Sequence, residues 1–234
     1  MSPTLKRFAG VDGFKEGWVI ALADEWPPSS IELTHAGTFT GVMDLTSKCI
    51  AVAVDIPIGL PQRNSRRTCD LAARTQLGYA RSSVFPAPPR ETLICRDPRS
   101  FQNAHREATG RGASLPVWGI VPKIREVDEI MTSEIQQRVI EFHPEVTWMR
   151  LLGGIPPNKH HAAGLLMRLS HLFLQFPEIF DLAKTEAAVV SKLDDLLDAI
   201  AGIAAAICKY DWLAEPLGSK EQIDAKGLKM QIWP

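Results

Sequence analysis

The chain has 234 residues, 45% of them hydrophobic, and a formal net charge of -1. That is enough apolar material to bury a full core, as one large domain or one carrying an insertion, and it excludes a disordered chain except at the ends. The longest late apolar stretch, Ala199 to Cys208, is about half the roughly 20 residues a membrane span needs, and the start MSPTLKRF lacks an apolar signal core. A soluble cytoplasmic protein with no membrane partner is expected. Cys49, Cys69, Cys95 and Cys208 lie far apart with no C-x-x-C pair, so they read as reduced packing thiols rather than a zinc or disulfide framework.

Phe8 to Gly13 and Trp18 to Ala23 are short apolar runs around a Gly-containing turn and read as a β-hairpin. Ile31 to Phe39 alternates and is a third strand, Thr40 to Lys48 a short helix, and Cys49 to Asp55 a continuous β-branched run suited to a central strand covered on both faces. Asn64 or Ser65 can cap a helix to about Leu77, with Gly78 as its stop. Ser82 to Pro98 holds four prolines without a period and reads as a long ordered loop or a lid. Helices are expected over Ser100 to Thr109 and Lys123 to Gln137, a fifth strand over Arg138 to Phe142, and helices from about His160 to Gln175 and Ser191 to Tyr210. Residues 216–234 form a polar tail, and no internal repeat is visible.

This order predicts an α/β protein with a mixed β-sheet flanked by helices, and it is the skeleton of the ribonuclease H-like fold. The domain spans 1–215, with a helical and loop insertion at about 62–137 between the fourth and fifth strands.

From Arg63 to Arg111 there are ten arginines, no lysine and four acids, a net of +6 that the whole-chain charge hides. Guanidinium forks bind phosphate bidentately, so the segment has the footprint of a nucleic-acid binder. The alternative is a solvated face whose arginines pair with acids elsewhere.

Three acids end or interrupt apolar strands: Asp12 after Ala9-Gly10-Val11, Asp55 after Val52-Ala53-Val54, and Glu141 within Val139-Ile140-Glu141-Phe142. An ionised carboxylate in a sheet interior is costly unless it is paired or metal-bound. Each also has a plainer explanation. Asp12 could start a turn, Asp55 could cap the loop amides after it, and Glu141 could pair with an arginine. In the last helix Asp194, Asp195 and Asp198 span an arc of about 100°. That arc reads either as a solvated acidic face at a helix start or as a cation site. Magnesium or manganese takes carboxylate oxygens, and a two-metal site needs roughly three or four acids from different elements.

The pieces V-D-G-F-K-E-G-W at 11–18, V-D-I-P-I-G-L-P at 54–61, R-x-x-D-x-x-A-R at 67–74, R-S-S-V-F-P at 81–86, E-F-H-P-E at 141–145 and D-D-L-L-D-A-I-A at 194–201 resemble the predicted ribonuclease H-like nuclease family catalogued as domain of unknown function 429. The last piece is also similar to the closing helix of Holliday-junction resolvases. By that resemblance Asp12 matches the first-strand aspartate, Asp55 the fourth-strand acid, and Asp195 with Asp198 the helical pair. The fourth-strand acid of the resolvases is a glutamate, so the shorter Asp55 leaves room for Glu141 to complete the site.

The expected activity is metal-dependent phosphodiester hydrolysis with Mg2+ or Mn2+ held by Asp12, Asp55, Asp195 and Asp198, and Glu141 as a further catalytic acid. Arg66, Arg67, Arg74 and Arg81 would hold backbone phosphates of a DNA or RNA substrate, with Pro57 and Pro61 bringing the arginine-rich helix beside Asp55. His143 could relay a proton beside Glu141. Self-association into a homo-oligomer is left open. Two competing readings are a catalytically silent nucleic-acid or partner-binding module of the same fold, and a phosphotransferase of the actin and sugar-kinase type. The second lacks a second aspartate-glycine hairpin, because Asp55 is followed by Ile-Pro-Ile.

Overall fold

The computed structural model describes residues 6–234. Five strands are formed: β1 (Phe8–Phe14), β2 (Gly17–Ala23), β3 (Glu32–Ala36), β4 (Ala51–Val54) and β5 (Val139–Glu141). The helices are α1 (Phe39–Leu45), α2 (Thr68–Gln76), α3 (Pro98–Thr109), α4 (Leu115–Ile130), α5 (Pro144–Leu152), α6 (Ala162–Gln175), α7 (Glu186–Val190) and α8 (Leu193–Tyr210). The chain divides into two compact units. The first contains the chain up to Asp55, then Arg138–Glu215 and Trp233–Pro234, and the second contains Ile56–Gln137 with Pro216–Ile232. No helix among the described residues is long and apolar enough to cross a membrane.

The first unit is built on a mixed sheet of order β3-β2-β1-β4-β5. β1, β2 and β3 pair antiparallel, whereas β4 runs parallel to both β1 and β5. Side chains alternate between faces along a strand, and paired residues share a face. The register therefore puts Phe8, Gly10 and Asp12 on the same side as Ala51 and Ala53. Trp18 lies on the opposite face, where its ring packs 5.3 Å from Phe39 of α1.

The first face is covered by α8. From Leu196 to Cys208 every residue of that helix is buried, which is the pattern of a helix enclosed on all sides rather than an amphipathic surface helix. Its approach to β1 is too close for a side chain. A Cβ on Gly10 would stand 2.0 Å from the Ala199 carbonyl oxygen, and one on Gly202 would stand 2.7 Å from the Gly10 Cα.

The second unit contains α2, α3, α4 and three 3-10 turns, Gly78–Ser83, Arg90–Ile94 and Ile135–Gln137. The second turn gives local structure to the proline-rich stretch expected to be a loop. The segment past Pro216 belongs to this unit through Asp224. That carboxylate accepts from the Leu60 N–H at 3.0 Å, from the Leu228 N–H at 2.9 Å and from the Arg90 guanidinium.

Four helices differ from expectation, the shortest being α7, which falls where no helix is expected. α2 begins at Thr68 because Asn64 adopts a left-handed backbone (φ 58°) and the Ser65 hydroxyl accepts from the Gln62 N–H at 3.0 Å, so neither caps the helix. α4 starts eight residues before the expected Lys123 and carries Pro122 inside it, while Thr132 turns the chain out before Gln137 by accepting from the Ile135 N–H at 3.2 Å. α5 was not expected at all. His143-Pro144 reads as a strand stop, but proline is equally suited to the first turn of a helix, where its missing N–H has no partner to lose.

Candidate active site

β1 and β4 are in parallel register with Val11 opposite Val54, and the Asp55 N–H donates to the Val11 carbonyl at 2.9 Å. Asp12 and Asp55 are thus the next residues along two neighbouring strands, side by side on the face that carries Gly10 and Ala53. Asp12 is buried, and its Oδ1 accepts from the Gly13 N–H at 2.7 Å. Asp12 pairs with Val19 inside β1, which runs on to Phe14, so it does not start the turn, and it faces the acids around it.

The third acid comes from α8. Asp198 precedes Gly202 by one helical turn, so the glycine crossing that brings α8 onto Gly10 also brings Asp198 toward Asp12, two residues further along β1. Asp198 is fully buried, which rules out a solvated acidic face at that position. Asp194 and Asp195 are only half-buried, and Asp195 accepts from the Lys192 N–H at the helix start.

Two groups that sequence reasoning missed hold Asp198, and a buried ion pair lies behind them. Its Oδ1 accepts from the Trp148 indole N–H at 3.0 Å, and its Oδ2 is ion-paired with the Lys159 ammonium. Trp148 comes from α5, as does Glu145, which forms a buried two-pronged pair with Arg168 of α6 at 2.8 Å to each oxygen. A sequence signal for α5 exists in Pro144 at its first turn and Gly153 (φ 70°) just past its end. Nothing in the sequence near Lys159, which lies between α5 and α6, marks it as the partner of an acid 39 residues on.

The electrostatics record the convergence. Burial first, then the charges of Asp55 and Asp198, hold the Asp12 carboxyl well above the usual carboxylate range, against the pull of Lys159. Burial likewise pushes Asp55 up to about 7, with Lys159 opposing and Asp198, Glu145 and Asp195 adding to the rise. Burial alone would lower Lys159, but Asp198, Asp12 and Asp55 together hold it above its ordinary value. Asp195 is raised by burial and by Asp194.

The remaining expected site residues lie elsewhere. Glu141 is paired in register with Val54, whereas Asp12 and Asp55 follow Val11 and Val54 and so alternate to the other side. Glu141 is buried on the opposite face of the sheet from the three aspartates. His143 stands at the start of α5. The arginines belong to the second unit. Arg67 is buried, donating to the Cys69 sulfur at 3.0 Å and lying 3.6 Å from Asp70. Arg74 donates to the Arg81 and Val84 carbonyls at 2.9 and 2.7 Å. The Arg66 and Arg81 side chains are exposed. Among the described residues no group of three or more His, Cys, Asp or Glu side chains is placed to hold a metal ion.

The fold and site define an α/β protein whose mixed five-stranded sheet presents aspartates of two neighbouring strands to a buried helical aspartate. The chain belongs to the family described as a protein of unknown function, DUF429, whose model matches residues 10–210. No curated protein and no solved structure matches it.

Proposed function

We propose that the first unit is a ribonuclease H-like nuclease core that hydrolyses phosphodiester bonds of nucleic acid with divalent metal. The observation that carries this reading is the meeting of Asp12, Asp55 and Asp198, from two adjacent strands and a helix, where burial first and neighbouring charges second raise Asp12 and Asp55.

The donor set fits such an ion. All its atoms are hard carboxylate oxygens, and three carboxylates face one ammonium, Lys159, which already stands in as a cation against Asp198. A cluster so rich in carboxylate oxygen and so poor in cations suits a hard divalent ion such as magnesium or manganese. A bound ion would lower the pKa of a water ligand and offset charge on the attacked phosphate. Asp12 and Asp55, on neighbouring rigid strands, would hold it with fixed spacing, and the Trp148 indole fixes the rotation of Asp198 so that one oxygen remains for a cation. A two-metal arrangement would draw its further donor from Asp195 rather than from Glu141 on the far face. The exposed Arg66 and Arg81 are the members of the arginine set suited to backbone phosphates, because Arg67 and Arg74 are already engaged within their unit.

A second reading, a silent binding module of the same fold, is favoured by one observation: both oxygens of Asp198 already have partners, Trp148 and Lys159. Incubating the protein with magnesium or manganese against single-stranded, duplex and branched DNA and RNA separates the two. Cleavage that is lost in Asp12→Asn, with circular dichroism unchanged, supports the nuclease. No cleavage of any substrate, or cleavage indifferent to Asp12→Asn, refutes it.

A further inference from the structure

Lys159 is the cation of the carboxylate cluster, and its backbone is fastened independently of that cluster. The Arg168 guanidinium, paired with Glu145, also donates to the Pro157 carbonyl at 3.0 Å and the Gly164 carbonyl at 2.9 Å. The start of α6 packs so tightly on this segment that a Cβ on Gly164 would stand 2.2 Å from the Asn158 carbonyl oxygen. The His160 N–H donates to the Asn158 side chain at 2.9 Å. The main chain on both sides of Lys159 is therefore held, while its four-carbon stem leaves the ammonium free to swing.

We propose that Lys159 is a tethered counter-ion that competes with a divalent cation for Asp198, so that metal binding at Asp12, Asp55 and Asp198 requires the ammonium to leave. This rests on the metal-site reading above. Without an ion, the three carboxylates, two of them buried, would repel, and the ammonium neutralises part of that charge at a cost in stability smaller than leaving the acids unpaired. With an ion, ammonium and metal cannot both occupy the Asp198 oxygen. The two binding events then oppose one another by a coupling that removal of the amine abolishes.

The test is calorimetric titration of the full chain with manganese alone, comparing the parent with Lys159→Met and Lys159→Arg, alongside melting temperatures in chelator. Lys159→Met is expected to bind manganese about tenfold more tightly than the parent, to melt lower without metal, and to gain more from added metal. Lys159→Arg, which keeps the charge, is expected to stay within about twofold of the parent. Lys159→Gln replaces the methionine variant if that one fails to fold, with the same expectation. Equal or weaker manganese binding after removal of the amine overturns the counter-ion role while leaving the metal site standing. Absence of saturable binding in the parent and in every variant overturns both.

Discussion

Gly10 of β1 and Gly202 of α8 cross with their backbones in contact, since a Cβ on the first would fall 2.6 Å from the second. The pair sets the depth at which α8 lies on the sheet, and with it the distance from Asp198 to Asp12. Alanine at Gly202 would ordinarily stabilise a helix interior by about 1 kcal/mol. Here the overpacking cost of about 1–3 kcal/mol or more should win. Gly202→Ala and Gly10→Ala are both expected to lower stability in urea denaturation, and a more stable Gly202→Ala would show that the crossing is not tight.

Asp55 gives the protein an unusual pH dependence. Its carboxyl titrates near 3.8 in the unfolded chain and at about 7 when folded. Between those values the folded state keeps a proton that the unfolded state has released, so this group's contribution is full below about pH 4 and is lost as pH rises through 7. Asp12, also raised, acts in the same direction. In chelator the melting temperature should therefore fall more steeply from pH 5 to 7.5 in the parent than in Asp55→Asn. Identical slopes would mean that Asp55 is not displaced from its ordinary titration.

The strand order and the two strand-end aspartates were legible because burial on both faces writes continuous apolar runs, and an acid at the end of such a run stands out. The face on which each acid lies was not legible from the runs alone. β5 is only three residues long, and its register against β4, which decides the side of Glu141, depends on pairing across the 84 residues between Val54 and Val139 rather than on local pattern. The partners of Asp198 were hidden for a different reason. Trp148, Lys159 and the Glu145–Arg168 pair meet only through tertiary packing, and Pro144 after an apolar run reads as a terminator as readily as a helix start.

The buried pair Glu145–Arg168 holds α5 against α6, and through them Trp148 and the Lys159 segment. Breaking one partner leaves a buried charge without its counter-charge, which costs about 3–5 kcal/mol, whereas replacing both with apolar residues is often close to neutral. Arg168→Met should accordingly be strongly destabilised in chemical denaturation, and Glu145→Leu with Arg168→Met should recover most of the loss. A double variant as unstable as the single one would place the energy in the Arg168 bonds to Pro157 and Gly164 instead.

Glu141 and Asp55 can be separated directly, because they lie on opposite faces of the sheet. Manganese binding measured by calorimetry should be lost, or weakened at least about tenfold, in Asp55→Asn, since a hard cation loses a charged oxygen ligand there. Glu141→Gln should bind as the parent does. The reverse ranking would require β5 to pair with β4 in a register shifted by one residue.

The arginines divide by burial, and the division predicts which of them nucleic acid can use. Salt dependence counts phosphate contacts, with the slope of log K against log salt changing by about 0.7–0.9 for each contact removed. Arg66→Ala and Arg81→Ala, at exposed side chains, should each flatten that slope in fluorescence-anisotropy titrations while leaving the melting temperature unchanged. Arg67→Ala should act oppositely. It strips the buried Asp70 of its neighbouring guanidinium, and an uncompensated buried carboxylate is costly, so the melting temperature should drop. A flattened slope in Arg67→Ala with unchanged stability would show that its guanidinium reaches phosphate after all.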